Sequence, residues 1–496
     1  MGICTYIKEK NIKNHPNPIS LDQISYIIEL IKKSICLIKC PKGGHGTGFF
    51  CRIHDQNFSN FKTVLITNYH ILEKDDLTEG KKIEFSIKNN TINRELIINN
   101  RKIYSNYEFD ITIIELYPKK DLIDQDSFLD IDRQIFSEDP NKEFKNKDIY
   151  IIGDIKDFTY GIIKNIDING KNIEHLCPTK NGMSGSPIIN LNDHRIIGVH
   201  KGSHPKYNWN CGTFLREPIK QYYAQKDNFI DNNNKIIAPV KPYDDSEDNP
   251  INKNNHIDSF KQYYDNIDYS INDNYKNINI GTKAVTFEIG KILIEKMKTQ
   301  ICRIEKNFHY YTGYDTGFFC NIHYDHNNIL KALIISSGYN ISIGERIKFS
   351  INDGNKNYVI VMDEARRTYN DSEYGISIIE LRPNDGLKEI SFLEIDNNIF
   401  KNNKDFFENQ RIFLLHYFRG GMSYSAGIIK RIEGNEEIIY YGCETSQGSG
   451  VGPIINSMNF QVIGVHKGKN IRNKYSIGTF LKEPILKFYN MFLLQK

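Results

Sequence analysis

His70, Asp110 and Ser184 are the three side chains of this sequence whose types and settings could do chemistry together. His70 closes the segment TNYH after an apolar run, Asp110 heads DITIIEL, and Ser184 sits in the glycine-rich turn NGMSGSPII. A serine hydroxyl is a poor nucleophile at neutral pH. It needs an imidazole to take its proton and a carboxylate to hold that imidazole in the right tautomer. These residues supply the groups in the chain order His, Asp, Ser. The turn around Ser184 is made of small residues, so backbone N–H groups can approach a developing oxyanion; Gly182 and Ser184 would donate those two bonds. Each feature alone has a plainer explanation: a surface or core histidine at a strand end, an aspartate forming a turn, a serine between glycines. Their joint occurrence outweighs those explanations.

The elements that must position these residues read as strands. Short, isoleucine-rich runs such as TVLITNY, KIEFSI, ITIIEL, IYIIG and RIIGVH are broken by turn residues, which favours strands over helices. Helical patterns frame them: LDQISYIIELIKK (Leu21 to Lys33) and FEIGKILIEKMK (Phe287 to Lys298) open two halves, and EPIKQYYAQ and EPILKFYNMFLLQ close them. Pro218 and Pro484 lie near the first turn of the closing patterns, where proline fits. The halves are copies. TGFFCRI at Thr47 returns as TGFFCNI at Thr316, IIGVHKG at Ile196 as VIGVHKG at Val462, and GTFLREPI at Gly212 as GTFLKEPI at Gly478. An offset of 269 residues for the first pair and 266 for the other two marks a duplicated domain. Residues 1–225 and 282–496 are the expected domains, joined by a polar linker over 226–281 rich in Asn, Asp and Lys.

The segments TGFFC, TNYH, DITIIEL and GMSGSP, in this order and spacing, resemble the chymotrypsin-like serine peptidases, whose nucleophile motif is G-x-S-G-x-P. The resemblance covers about Cys36 to Gln225, and the second copy follows the same frame. It implies a mainly β fold: two chymotrypsin-like double β-barrel domains in tandem, each with short flanking helices. It also implies a serine endopeptidase with His70 as general base, Asp110 as its orienter and Ser184 as nucleophile, acting on a peptide or protein substrate. One position departs from the secreted trypsin type. Met183 stands where those enzymes carry the aspartate that pairs with a newly cut N-terminus, so activation by such a cut is not expected. In this fold His200 and Thr179 face the primary specificity pocket, a pairing similar to that of bacterial glutamyl endopeptidases, which bind Glu, and of viral cysteine proteases, which bind Gln. A histidine and a hydroxyl can hydrogen-bond either side chain. Charged His200 would favour Glu and neutral His200 Gln. With a serine nucleophile and Lys201 nearby, Glu is the expected preference and Gln the runner-up.

Laying the copies together puts Asn340 at His70, Gly375 at Asp110 and Gly450 at Ser184, with Ser449 one residue off and pointing elsewhere. The second copy is therefore expected to be a pseudoprotease. Thr445 and His466 match Thr179 and His200, which leaves a persisting core, a binding module for a protein partner, or a body that packs on the first copy as its uses. The alternative for the whole chain is a non-enzymatic scaffold of two barrels; an intact triad in one copy favours the enzyme.

Composition narrows the rest. The 496 residues carry 64 basic and 61 acidic side chains, a net charge of +3 that gives no single-sign field for nucleic acid. No apolar run approaches the ~20 residues of a membrane span, and the N-terminus lacks the apolar core of a secretory signal. A cytoplasmic, soluble protein is the expectation. Cys36 with Cys302, Cys51 with Cys320 and Cys177 with Cys443 recur as pairs and read as inherited buried thiols. Gly2 and Cys4 resemble an acylation signal only in part, because Tyr6 stands where Ser or Thr is wanted. There is no P-loop, paired metal-ligand spacing or dinucleotide fingerprint, so neither cofactor nor metal is expected. Gln225 and Glu247 are candidate self-processing sites.

Overall fold

The computed structural model describes residues 16–225 and 285–493, apart from 56–59, 88–91, 154–156, 168, 181, 204–208, 308–311, 324–328, 402–403, 435–437, 446–448 and 471–474. The expected linker, Glu247 and the partial acylation match at Gly2, Cys4 and Tyr6 lie outside the described residues.

Chain entry into each copy is the same. A two-residue strand, β1 (Ile19–Ser20), runs into the helix Leu21–Lys33. Ser20 and Gln23 form a reciprocal capping box that satisfies orphan N–H groups of the first turn. Ile24, Ile27, Ile28 and Ile31, at helical spacing, form its buried face. The second copy repeats this with strand Val285–Thr286 and helix Phe287–Gln300, where the Thr286 side chain accepts from the Ile289 N–H.

The first sheet of the first copy is an open half-barrel. It holds β2 (Ile35–Lys39), β3 (His45–His54), β4 (Phe61–Thr67), β5 (Lys82–Ile87), β6 (Ile92–Ile97), β7 (Ile103–Asn106) and β8 (Ile111–Glu115) in the order β6-β5-β2-β3-β4-β8-β7. A short β9 (Leu129–Asp130) joins β3 in parallel. Inward-facing Ile38, Phe50, Leu65, Phe85 and Ile114 make its core. The second sheet holds β10 (Asp148–Gly153), β11 (Asp157–Ile166), β12 (Asn172–His175), β13 (Pro187–Asn190), β14 (Ile196–Ser203) and β15 (Asn210–Phe214). Its order β10-β13-β14-β15-β12-β11 closes through β10–β11 pairing into a six-stranded barrel. The second copy builds the same half-barrel and closed barrel. Mainly β architecture, tandem double barrels and the four flanking helices all agree with the sequence expectation.

The copies dock by exchanging their entry strands. Ile19 and Ser20 pair with Tyr424 and Ser423 of the second copy, and Val285 and Thr286 pair with Phe158 and Asp157 of the first. The register is reciprocal, as in an isologous two-fold contact. The two entry helices pack on one another, Gly290 lying against Ile24 and Ile28. The Tyr160 hydroxyl accepts the Ala426 N–H at 2.7 Å, and its ring meets Tyr424 edge-on. One hydrophobic core runs through both copies. The recurring cysteines are free thiols buried in these cores, and no described helix is long and apolar enough to cross a membrane.

Candidate active site

His70 and Asp110 come from opposite ends of paired strands. Antiparallel β4 and β8 place the loop after Thr67 beside the turn before Ile111. His70 Nδ1 lies 2.9 Å from both Asp110 carboxylate oxygens, and its backbone N–H donates to Oδ1 at 3.0 Å. Asp110 adopts a left-handed φ of +50°, and its carbonyl accepts from the Asn68 side-chain amide at 2.9 Å. Asp is among the few non-glycine residues that tolerate this region.

Ser184 lies across the same cleft, a cavity of about 240 Å³ lined by His70, Gly182, Ser184, Gly46 and Ile71 among others. Its hydroxyl donates to the Lys201 carbonyl at 2.9 Å. Among the described residues it has no hydrogen bond to His70, so the structure joins His70 to Asp110 but holds Ser184 in a resting bond beside them.

The Ser184 loop is held by its carbonyls. Thr47 Oγ1 donates to the Gly182 carbonyl and the Thr47 N–H to the Ser184 carbonyl, both at 2.9 Å, while Thr67 fixes the Thr47 carbonyl at 2.7 Å. The Met183 carbonyl accepts from the Ser186 N–H at 3.1 Å. A peptide's C=O and N–H point opposite ways, so this bond turns the Ser184 N–H outward. Gly185 must be glycine: its φ is +85°, and a Cβ would sit 1.9 Å from the Thr47 carbonyl oxygen.

His200 lies on β14, buried, with Nδ1 3.2 Å from Nε2 of buried His175. Burial pushes its pKa down to about 4, so the ring is neutral at pH 7. Burial likewise lowers the Lys201 ammonium, whose Nζ donates to Asn172 at 2.8 Å. Thr179 stands half-buried on the segment after β12, and among the described residues no hydrogen bond joins it to His200.

Residues 46–199, a span containing all three candidate catalytic residues, match the family described as the trypsin-like peptidase domain. The first copy is a trypsin-like peptidase domain. It is thereby a serine endopeptidase domain. Solved structures similar to the chain include a Glu endopeptidase at 16% identity, TM-score 0.29, covering 39% of this chain and 90% of that one. The Rv3671c protease of M. tuberculosis matches at 16% identity, TM-score 0.29, covering 40% and 83%. A serine endoprotease of Yersinia pestis matches at 12% identity, TM-score 0.28, covering 41% and 68%. No curated protein matches the chain.

In the second copy, strand register corrects one correspondence. Thr67 pairs with Thr112, and Ile335 pairs with Ser377; the Ile71 N–H bonds to Asn68, and the Tyr339 N–H to Ser336. Gly338, not Asn340, therefore occupies the place of His70. Gly375 and Gly450 stand where expected, and a Cβ on Gly450 would meet Asp315 Oδ1 at 2.6 Å. Ser449 is buried, bonded to His416 Nδ1 at 2.6 Å, and turned away as anticipated. His466 is bonded to Tyr441 at 2.6 Å, the counterpart of the His200–His175 contact, and burial lowers it to about 4.

Sequence reasoning missed Thr47, His175 and the Lys201 carbonyl. Thr47 had a signal, because it opens the recurring TGFFC motif. His175 had none, since Tyr441 replaces it in the other copy.

Proposed function

We propose that the chain cleaves peptide bonds through an acyl-enzyme on Ser184, with residues 1–225 as the working unit and 282–496 as a unit without chemistry of its own. The supporting observation is that His70, bonded to Asp110, lines the same cleft as Gly182 and Ser184. Substrate binding displaces the Lys201 bond, and rotation about χ1 carries the Ser184 hydroxyl toward His70 Nε2. His70 takes the hydroxyl proton as Oγ attacks the carbonyl carbon, and Asp110 stabilises the imidazolium. The oxyanion is met by the Gly182 and Ser184 N–H groups. The imidazolium then gives its proton to the departing amine. Water then attacks the acyl carbon as His70 takes its proton, the acyl–Oγ bond breaks, and the imidazolium returns the proton to Ser184 Oγ. Gly338, Gly375 and Gly450 leave the second copy without base, orienter or nucleophile. A fluorophosphonate adduct mapped to Ser184 by peptide mass spectrometry is expected; absence of labelling in the folded wild type would favour the scaffold alternative.

The side chain preceding the cut is Gln or Glu, held by His200 and Thr179: the neutral ring suits a Gln carboxamide at pH 7, and the expected Glu gains as the pH falls. Because free His200 is held near 4 by burial, it is neutral between pH 5 and 8 and must take up a proton to meet a Glu carboxylate. A Gln carboxamide needs none. The ratio of kcat/KM for Glu over Gln substrates should therefore rise as pH falls from 8 to 5, by up to about tenfold per unit. Titration of the general base affects both substrates alike and cancels. A flat ratio would remove His200 from the pocket.

A further inference from the structure

Gly182 and Ser184 line the cleft from the segment between β12 and β13. The Ser184 side of that loop is fixed by the Met183, Gly182 and Ser184 carbonyl bonds. The Gly182 N–H belongs to the peptide before Gly182, so its direction follows the backbone that leads into Gly182. The anchor on that side is Lys180. Its carbonyl accepts from the Met183 N–H at 3.3 Å, and its ammonium forms an ion pair with Asp157. Met183 is fully buried against Gly153 and supplies no charge to the loop.

Asp157 has an unusual setting. It opens β11, its side chain is 6% exposed, and its register partner is Thr286 of the second copy. A carboxylate kept from water needs a cation, and here the second copy's entry strand lies against it while Lys180 supplies the charge. The pseudo-symmetric position is Ser423, paired with Ser20. The carboxylate is thus present only in the copy that carries His70, Asp110 and Ser184.

We propose that Lys180 and Asp157 are a positioning pair that aims the Gly182 N–H, and that the second copy completes the pair by seating Val285–Thr286 on β11. This rests on Ser184 being the nucleophile. The second copy then serves the first as a built-in activator, replacing any cleavage-generated anchor.

The test uses full-length variants on a peptide amide. Lys180→Met keeps most of the stem and removes the charge; Asp157→Asn keeps the shape. Each should lower kcat about 10- to 100-fold, the effect of a misplaced catalytic group, with KM changed less than about threefold. Lys180→Arg should recover most of the loss. The double variant should be no worse than the poorer single, because the pair acts as a unit. Thr286→Asp retains a good helix cap but sets a like charge across from Asp157; it should lower kcat severalfold relative to Thr286→Asn. A merely structural pair would lower thermal stability and leave kcat per active site intact. Wild-type kcat in Lys180→Met, or additive losses in the double variant, would overturn the pair. Equal kcat in Thr286→Asp and Thr286→Asn would overturn the second copy's part. If Lys180→Met keeps wild-type kcat while Ser184→Ala abolishes turnover, only this inference falls. If wild type shows no Ser184-dependent turnover, the peptidase mechanism falls and takes the inference with it.

Discussion

Ser184→Ala is expected to lower kcat by about six orders of magnitude, leaving KM within a few-fold of wild type. The hydroxyl contributes nothing to holding the ground state that its neighbours do not already supply: it is bonded to the Lys201 carbonyl at rest. Its removal therefore falls almost wholly on the transition state. The residual rate, about 10³–10⁴ over water, comes from the N–H groups of Gly182 and Ser184 and from binding, both of which survive the substitution. His70→Ala should cost about as much, and the double variant scarcely more, because nucleophile and base act as one device. Stability should fall by no more than about 1 kcal/mol, the worth of the single Lys201 bond. Steady-state kinetics and denaturant unfolding on the same preparations give both quantities. Retention of more than about one per cent of wild-type kcat would show that another group attacks the substrate.

The three chemical groups were legible in the sequence because each sits beside a motif that also builds structure. TNYH ends a strand, DITIIEL begins one, and NGMSGSP is a turn that only small residues permit. The duplication was legible for the same reason, since TGFFC and GVHKG recur with the strands they belong to. What stayed hidden depends on chain geometry rather than pattern. Laying the copies together by sequence puts Asn340 at His70, whereas the Ile335–Ser377 pairing places Gly338 there. The offset between copies drifts along the chain, and only register resolves a two-residue difference. The exchanged entry strands are two residues long, too short for any alternation to announce them. The Lys180–Asp157 pair joins two charged residues with no motif between them, and a charge run gives no hint of which carboxylate will be buried. His175 behind His200 is equally silent, a histidine in a strand like many others.

Asp110→Gly should separate the chemistry of this position from its backbone. Asp110 sits at φ +50°, and the second copy places Gly375 there at φ +76°. The turn thus wants a left-handed residue, and the catalytic copy fills it with a side chain that has a Cβ. Glycine would relieve about 1 kcal/mol of backbone strain. Against this stand the lost bonds to the His70 N–H and Nδ1, about 0.5–1.5 kcal/mol each and only partly sheltered, since the two side chains are 49% and 23% exposed. The net change in stability should be small, within about 1–2 kcal/mol. Alanine loses the same bonds but keeps a Cβ in the left-handed region, so Asp110→Ala should be less stable than Asp110→Gly by about 1 kcal/mol. Both should lose about 10⁴ in kcat, some 5–6 kcal/mol at the transition state, because His70 is left without the partner that sets its tautomer and balances its charge. Asp110→Asn, which tolerates the backbone but leaves the tautomer wrong, should be as inactive. Denaturant unfolding of the three variants beside their kcat values decides the matter. Equal stability of the glycine and alanine variants would mean the turn carries no strain, and a loss in kcat below about tenfold would mean that Asp110 does not orient His70.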